Sequence, residues 1–588
     1  MRYRRGFHII AACLCLGLLT ALGCGGPLDG YDSSRLQRQV IDAARMQLPD
    51  DAAAEPAAPY RPVTDLTDDQ LRELDEISGP AAYRNARIDA GRDLLGRRDF
   101  ASLDLSKAVR LAVAGNIQAQ VARLVPRMSA QQIAQAEAAF DPSLFADLAY
   151  ADVDRPRQGA IVVGALLVPM VDTKRVTDLN AGIRKRFDTG AAVSASTGVT
   201  HTDERTPGLT ATPDPASITD ITLGITQPLL RNFGPRVNRA EIVLAQNLNA
   251  RDAFALKSQL THVVASVEAV YWELVYARFQ LAIRQRMLDD TVALHDDLKA
   301  RKDLDTSPLQ IAQAASFVAA RRSELIGAQR AMRDASDRLK HLLNADDLPL
   351  VGEALIDPVD RPIEQADDTT LAQAVVTALR QRPEMGQARL AMEDAWVRMN
   401  LADNQRLPRL DLTAQLSYYG MDEGVFDGYD QITRSDFIDW LIGLQFEQPI
   451  GNHAAEAAFR RQRLARQAQA LQYRQTAQDV ILTVKQAMRA ELSAHELIAV
   501  NRDVRRAAAE NLRAIEQRER SASNLTPEFL LDLKLTAQQR LGEAELLEAR
   551  VIADYNTARA RLLQATGSLL DHHQIDMTIS ETPPAAED

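Results

Sequence analysis

The sequence predicts a mainly α-helical chain with membrane β: a duplicated unit of strands and long coiled-coil helices, the strands closing a shared β-barrel and the helices an α-helical barrel. Three observations predict it. Short segments alternate apolar and polar residues, as in "DLTAQLSYY" from Asp411 and "WLIGLQFE" from Trp440. Long polar segments rich in Ala, Gln, Arg, Leu and Glu run on without proline, from Pro235 to about Lys299 and from His453 to about Arg520. Both kinds occur twice, in the same order.

At the N-terminus, Arg2, Arg4 and Arg5 precede an apolar run from Ile9 to Leu22. The run is too short to span a bilayer and has the layout of a secretory signal, residues 1–23, so export from the cytoplasm is expected. Cys13, Cys15 and Cys24 all lie here. Only Cys24 would survive cleavage beside it, so no intrachain disulfide is expected. "TALGCGG" resembles a bacterial lipoprotein box, in which the cysteine after the cut is lipidated, although Ala21 stands where Leu is usual. Lipidated Cys24 is the expectation; ordinary signal cleavage nearby is the alternative. Residues 24–100, rich in Pro, Asp, Ala and Arg without sustained periodicity, read as a lipidated surface extension or tether.

Offsets reveal the duplication. "LSKAVRLAVAGN" from Leu105 matches "LAQAVVTALRQR" from Leu371, 371 − 105 = 266, and Pro142 matches Pro408, 408 − 142 = 266. Beyond the strands the offset becomes 448 − 227 = 221 between two Gln residues and 527 − 308 = 219 between Pro308 and Pro527. The halves therefore differ mainly by one insertion. The first repeat is placed at 101–345, with strands about 144–227 and helices about 235–343. A linker follows at 346–370. The second repeat is placed at 371–570, with strands about 409–447 and helices about 453–567, and 571–588 reads as a disordered tail.

Period two marks the strands. Leu410, Leu412, Ala414, Leu416 and Tyr418 form one apolar face, and Trp440, Ile442, Leu444 and Phe446 another. The first half offers Leu144, Ala146, Leu148 and Tyr150, then Ile221, Leu223 and Ile225. Its insertion holds a further candidate hairpin, 179–187 with 193–199, turning through "DTGA" at Gly190. In the first long helix Leu260, Val264, Val267, Tyr271 and Leu274 are spaced 4, 3, 4, 3, the seam of a coiled coil. The polar breaks "RKDLDTSP" (301–308) and "RSASNLTP" (520–527) read as helical hairpin tips, with Thr306 or Ser307, and Thr526, capping helices that open on proline.

Strands apolar on one face and polar on the other suit an outer-membrane barrel, because lipid does not satisfy a free sheet edge. One chain offers four good strands, or six with the inserted hairpin, and about eight is the smallest such barrel. Several copies must pool their strands around a rotation axis. Gln227-Pro228 and Gln448-Pro449 then mark the joints where the ladder stops and the chain swings into the helices. Tyr418, Tyr419 and Trp440 are expected in an aromatic girdle at a lipid interface.

The order of parts, the duplication, "FDPSLF", "ITQPLLRNFG", "VYWELVYA" and "ARARLLQATGSL" resemble the outer-membrane efflux protein (TolC-like) family over about residues 100–570. The resemblance implies a homotrimer with four strands per chain in a twelve-stranded barrel and a twelve-helix periplasmic tunnel. It also implies the role of a passive exit duct of a tripartite efflux or type I secretion system, driven by an inner-membrane pump through a periplasmic adaptor (membrane fusion protein). With the hairpin included the count would be 3 × 6 = 18. In the family the tunnel closes at its helical tips around acidic residues. Glu528 and Asp532 at the second tip, with Asp303 and Asp305 at the first, are the gate candidates, the alternative being solvated tip residues. The family's paired acids fall on Leu533 and Thr536 in plausible registers, a departure from the pattern. Arg301, Leu304, Arg518 and Leu525 are the adaptor-docking candidates, the alternative being hairpin packing.

Other classes fit poorly. The net charge of −12 argues against a nucleic-acid footprint. The nine histidines are scattered without zinc spacing, and no Gly-rich phosphate loop stands between a strand and a helix, so no enzyme, metal site or cofactor is expected. The alternative function is a lipid-anchored periplasmic coiled-coil spacer, which leaves the paired strands unexplained.

Overall fold

A computed structural model describes residues 33–47, 66–84, 86–91, 94, 99–156, 160–162, 165–168, 171–207, 209, 211–302, 306–520 and 527–575. Single turns and the small hairpin of Ala160–Val162 with Ala165–Val168 aside, it begins with helices α1 (Ser33–Gln47), α2 (Asp68–Ser78) and α3 (Pro80–Arg84). Strand β1 (Phe100–Leu103), helices α4 (Leu105–Gly115) and α5 (Ile117–Glu137), and strands β2 (Ser143–Pro156), β3 (Val171–Arg186), β4 (Ala192–Glu204) and β5 (Ala216–Pro228) follow. Then come α6 (Ala240–Ala300), α7 (Pro308–Leu343), β6 (Leu355–Pro358), α8 (Leu371–Gln381) and α9 (Pro383–Asn404). The chain closes with β7 (Arg409–Asp422), α10 (Val425–Arg434), β8 (Phe437–Glu447), α11 (His453–Arg520) and α12 (Pro527–Thr566).

The repeat is visible in how its helices start. Asp104 accepts a hydrogen bond from the Lys107 amide at the head of α4, and at the matching head of α8 Thr370 and Gln373 form a capping box. The cap of α7 is Ser307, not Thr306: its hydroxyl accepts from the Gln310 amide while the Gln310 side chain accepts from the Ser307 amide.

Two compact units result, and each draws on both repeats. The first, from residues 128–249 and 390–471, holds one antiparallel sheet in the order β8-β7-β5-β4-β3-β2, the repeats meeting where β5 pairs β7. The inserted hairpin is thus inside the sheet, and β2 and β5, expected as a pair, are separated by it. Strands β2 to β5 also outrun their apolar cores, since polar cross-strand pairs such as Asp152 with Arg175 extend the ladder. At the end remote from the Gln-Pro joints, α10 lies against the sheet: the Tyr429 and Thr197 hydroxyls are 2.7 Å apart. The approach requires glycine, because a Cβ on Gly420 would sit 1.9 Å from the Gly428 carbonyl oxygen.

The second unit is helical and centres on α6. Leu260, Val264, Val267, Tyr271 and Leu274 are all buried, in a core shared with Met332 and Leu339 of α7 and Ala549 and Ala553 of α12. Three expectations change here. Residues 24–100 are not merely a tether, because α2 is bound by Arg505 and Arg513, which reach Asp75 at 2.5 Å and Glu73 at 2.9 Å, and Tyr83 of α3 is buried edge-on to Phe279. The 346–370 segment is more than a linker: β6 pairs β1 in parallel, Phe100 opposite Leu355. The tail at 571–575 is ordered, His573 meeting Glu268 at 2.5 Å, while 576–588 lie outside the described residues.

Candidate functional site

The sheet's two faces differ because alternation is kept in register across all six strands. One row reads Leu144, Ile183, Ala195, Leu223, Leu416, Trp440, and the next Ala146, Ala181, Thr197, Ile221, Tyr418, Ile438. A row on the opposite face reads Phe145, Gly182, Ser196, Thr222, Ser417, Asp439. Most of the apolar face is exposed, with Leu144 80% exposed, Trp440 74% and Leu444 68%; only at the end remote from the joints does α10 lie on it, Tyr429 meeting Thr197. Among the described residues β2 and β8 pair on one side only, so the sheet has two open edges. Tyr418 and Trp440 lie on the apolar face. Tyr419, expected beside them, lies opposite Phe437 on the other face, since neighbouring residues of a strand point apart. No helix among the described residues is long and apolar enough to cross a membrane.

The two Gln-Pro joints are not equivalent. At the first, Pro228 ends β5 opposite Asp411, and the Gln227 amide donates to the Thr189 carbonyl at 3.2 Å and to the Pro228 carbonyl at 2.8 Å. The Gly234 amide also donates to Thr189, at 3.0 Å, so the β3–β4 turn is fastened to the joint. Gly190 occupies that turn at φ +92°, where a Cβ would lie 2.5 Å from the Asn232 carbonyl oxygen. At the second joint Gln448 donates, among the described residues, only to its neighbour Pro449, at 3.3 Å, and the turn is held by Asn452 on the Arg406 carbonyl and by Arg406 on Glu456. The difference is the insertion, which gives the first joint a partner the second lacks.

At the tips, Leu298 of α6, Ala314 of α7 and Leu531 and Leu535 of α12 form a small buried cluster. Asp532 is exposed and accepts from the Gln313 amide at 3.3 Å, while Glu528 is exposed beside it. Arg518 is exposed, and Arg301 makes a surface pair with Asp297 at 3.7 Å. Asp303, Asp305, Leu304, Leu525 and Cys24 lie outside the described residues.

Sequence reasoning missed a charged cluster in the helical unit. Arg505, fully buried, donates to Glu548 at 2.5 Å, to the Ser78 hydroxyl at 2.8 Å and to Asp75 at 2.5 Å, and Arg506 adds a second pair to Asp75. Burial works against the Asp75 carboxylate, but Arg506 and Arg505 outweigh it and hold its pKa below the ordinary range. Nothing in a polar helical repeat distinguishes Arg505 from its many neighbours.

A duplicated chain that pairs an edge-open sheet, apolar on one face, with two long helical hairpins has the outer-membrane channel-tunnel fold. The model of the outer membrane efflux protein family matches residues 374–568. Among solved structures, the chain is similar to the Campylobacter jejuni CmeC outer membrane channel (TM-score 0.56, 13% identity, covering 82% of this chain and 93% of that one). It is also similar to the outer membrane protein VceC of Vibrio cholerae (0.53, 15%, 79% and 96%) and to the Neisseria gonorrhoeae MtrE outer membrane channel (0.51, 18%, 79% and 89%). A search of curated proteins finds no match to the sequence.

Proposed function

We propose that this chain is one subunit of a trimeric outer-membrane channel that continues into the periplasm as a helical tunnel and serves as the passive exit duct of an efflux or type I secretion system. The observation that carries this reading is the sheet with one exposed apolar face and two open edges. Leaving Leu144, Leu148, Trp440, Ile442, Leu444 and Phe446 in water forgoes roughly 1.5–3 kcal/mol each, on the order of the whole stability of a domain. Lipid takes that face. The edges then have to pair, because an unsatisfied backbone group in hydrocarbon costs several kcal/mol, and the free partner for β8 is β2 of another copy. Exposed stripes on the helices point the same way: Ile117, Val121, Leu124 and Met128 recur at 4, 3, 4 along α5, and Leu464, Leu471, Leu497 and Val504 stand out on α11. A periplasmic spacer would leave both the face and the edges in water.

In this reading the hydroxyl and amide face lines the pore and Cys24 adds a lipid anchor. Glu528 and Asp532, with Asp303 and Asp305, ring the periplasmic constriction. Arg301, Leu304, Arg518 and Leu525 meet the adaptor, behind which stands the inner-membrane pump. The test is conductance in a planar bilayer. The full chain is expected to add discrete cation-preferring steps, and Asp532→Asn with Glu528→Gln to lower that preference. No conductance at all would contradict the channel; unchanged selectivity would remove these two acids from the constriction.

A further inference from the structure

We propose that the barrel wall has eighteen strands, 3 × 6, and so a mouth wider than the twelve-stranded pattern; this rests on the trimeric reading above. The case is that the inserted hairpin is wall, not loop. Strand β3 pairs β2 from Arg184 opposite Ser143 to Val171 opposite Pro156, and β4 pairs β5 from Ala192 opposite Thr226 to Thr202 opposite Ala216. Among the described residues no direct ladder joins β2 to β5, so a twelve-stranded wall would require breaking both of these and forming a new one.

The hairpin also keeps the two-faced pattern of its neighbours. Leu179, Ala181 and Ile183 of β3, with Val193 and Ala195 of β4, continue the apolar face. Asn180, Gly182, Ser194 and Ser196 continue the other. An extramembrane loop has no need to match lipid on one side and water on the other. Finally, the hairpin crosses the whole sheet. Its turn is closed by the Phe187 amide on the Ala191 carbonyl at 2.8 Å and fastened through Thr189 to Gln227 and Gly234, at the joint end. Its strands of 16 and 13 residues exceed the roughly 9–11 that a tilted crossing needs.

Barrel diameter grows about linearly with strand number, so eighteen strands instead of twelve widen the mouth roughly 1.5-fold and its cross-section roughly twofold. A mouth of that width cannot be the size filter. Selection by size is left to the helical part, and bulky hydrated solutes leave the mouth unhindered.

Electron cryomicroscopy of the full chain extracted in detergent counts the strands. Eighteen in a three-copy ring is expected. Twelve, with hairpins outside the wall of a three-copy ring or within a two-copy ring, would overturn the proposal, the first leaving the trimeric channel intact. No closed ring would overturn the channel reading itself. Cysteine labelling in outer-membrane vesicles is a second check, with the unsubstituted chain as the background for Cys24. A water-soluble maleimide should label Ser196→Cys and lose access to Ile183→Cys. Equal labelling of both would place the hairpin outside the wall.

Discussion

Arg505 shows what a single residue does in this chain. Its guanidinium joins α11 to α12 through Glu548 and to α2 through Asp75 and Ser78, with no side-chain exposure at Arg505 or Glu548. Removing one partner of a buried pair strands the other charge, so Arg505→Met is expected to cost about 3–5 kcal/mol in denaturant unfolding. A loss within experimental error would show that the cluster contributes nothing net. Asp75, its pKa depressed, contributes stability at neutral pH that disappears as pH falls through its folded value. Glu491 has the opposite sign. Burial, with Asp367 nearby and Arg559 only partly compensating, pushes it from 4.5 up to about 7. The folded state therefore binds its proton more tightly than the unfolded chain, and stability falls as pH rises between those values. Glu491→Gln should raise the melting temperature at pH 8 and flatten part of that slope; Glu545, raised to about 7 chiefly by burial, acts in the same direction. A mutant less stable than the parent at pH 8 would contradict this.

At the scale of elements, the β3–β4 turn is the sensitive point. Gly190→Ala meets both a left-handed backbone and the Asn232 carbonyl, whereas Gly234, at the same φ of +92°, has open space around its Cβ position. Both substitutions strain the backbone and are expected to destabilise the protein by more than about 1 kcal/mol, Gly190→Ala by more than Gly234→Ala because of the added clash, read as the temperature at which the assembled form dissociates on a gel. Equal effects would mean that the turn is not held against the joint. The hairpin also marks how far the sequence could be read. Alternation at 410–418 and 440–446 located β7 and β8, and "DTGA" located the turn, because these signals are local. Whether the hairpin entered the sheet depended on ladders with Ser143–Pro156 and Ala216–Thr226, which no short segment encodes. The contacts of the extension are illegible for the same reason: Asp75 finds Arg505 430 residues further on. Tyr419 is different, since the alternation that placed Tyr418 on the apolar face already placed its neighbour on the other. The tip candidates were legible as residue types, but position in a ring is a property of the assembly, not of the segment.

At the scale of the whole molecule, an isolated copy has an exposed apolar sheet face and, among the described residues, two unpaired edges; the proposed closure of identical copies within lipid would cure both. The most direct measurement is the native mass of the full-length protein, by sedimentation after detergent extraction from membranes. A stable complex of three chains that is lost from solution when detergent is removed is the expected result. A water-soluble monomer, stable without detergent, would contradict the account.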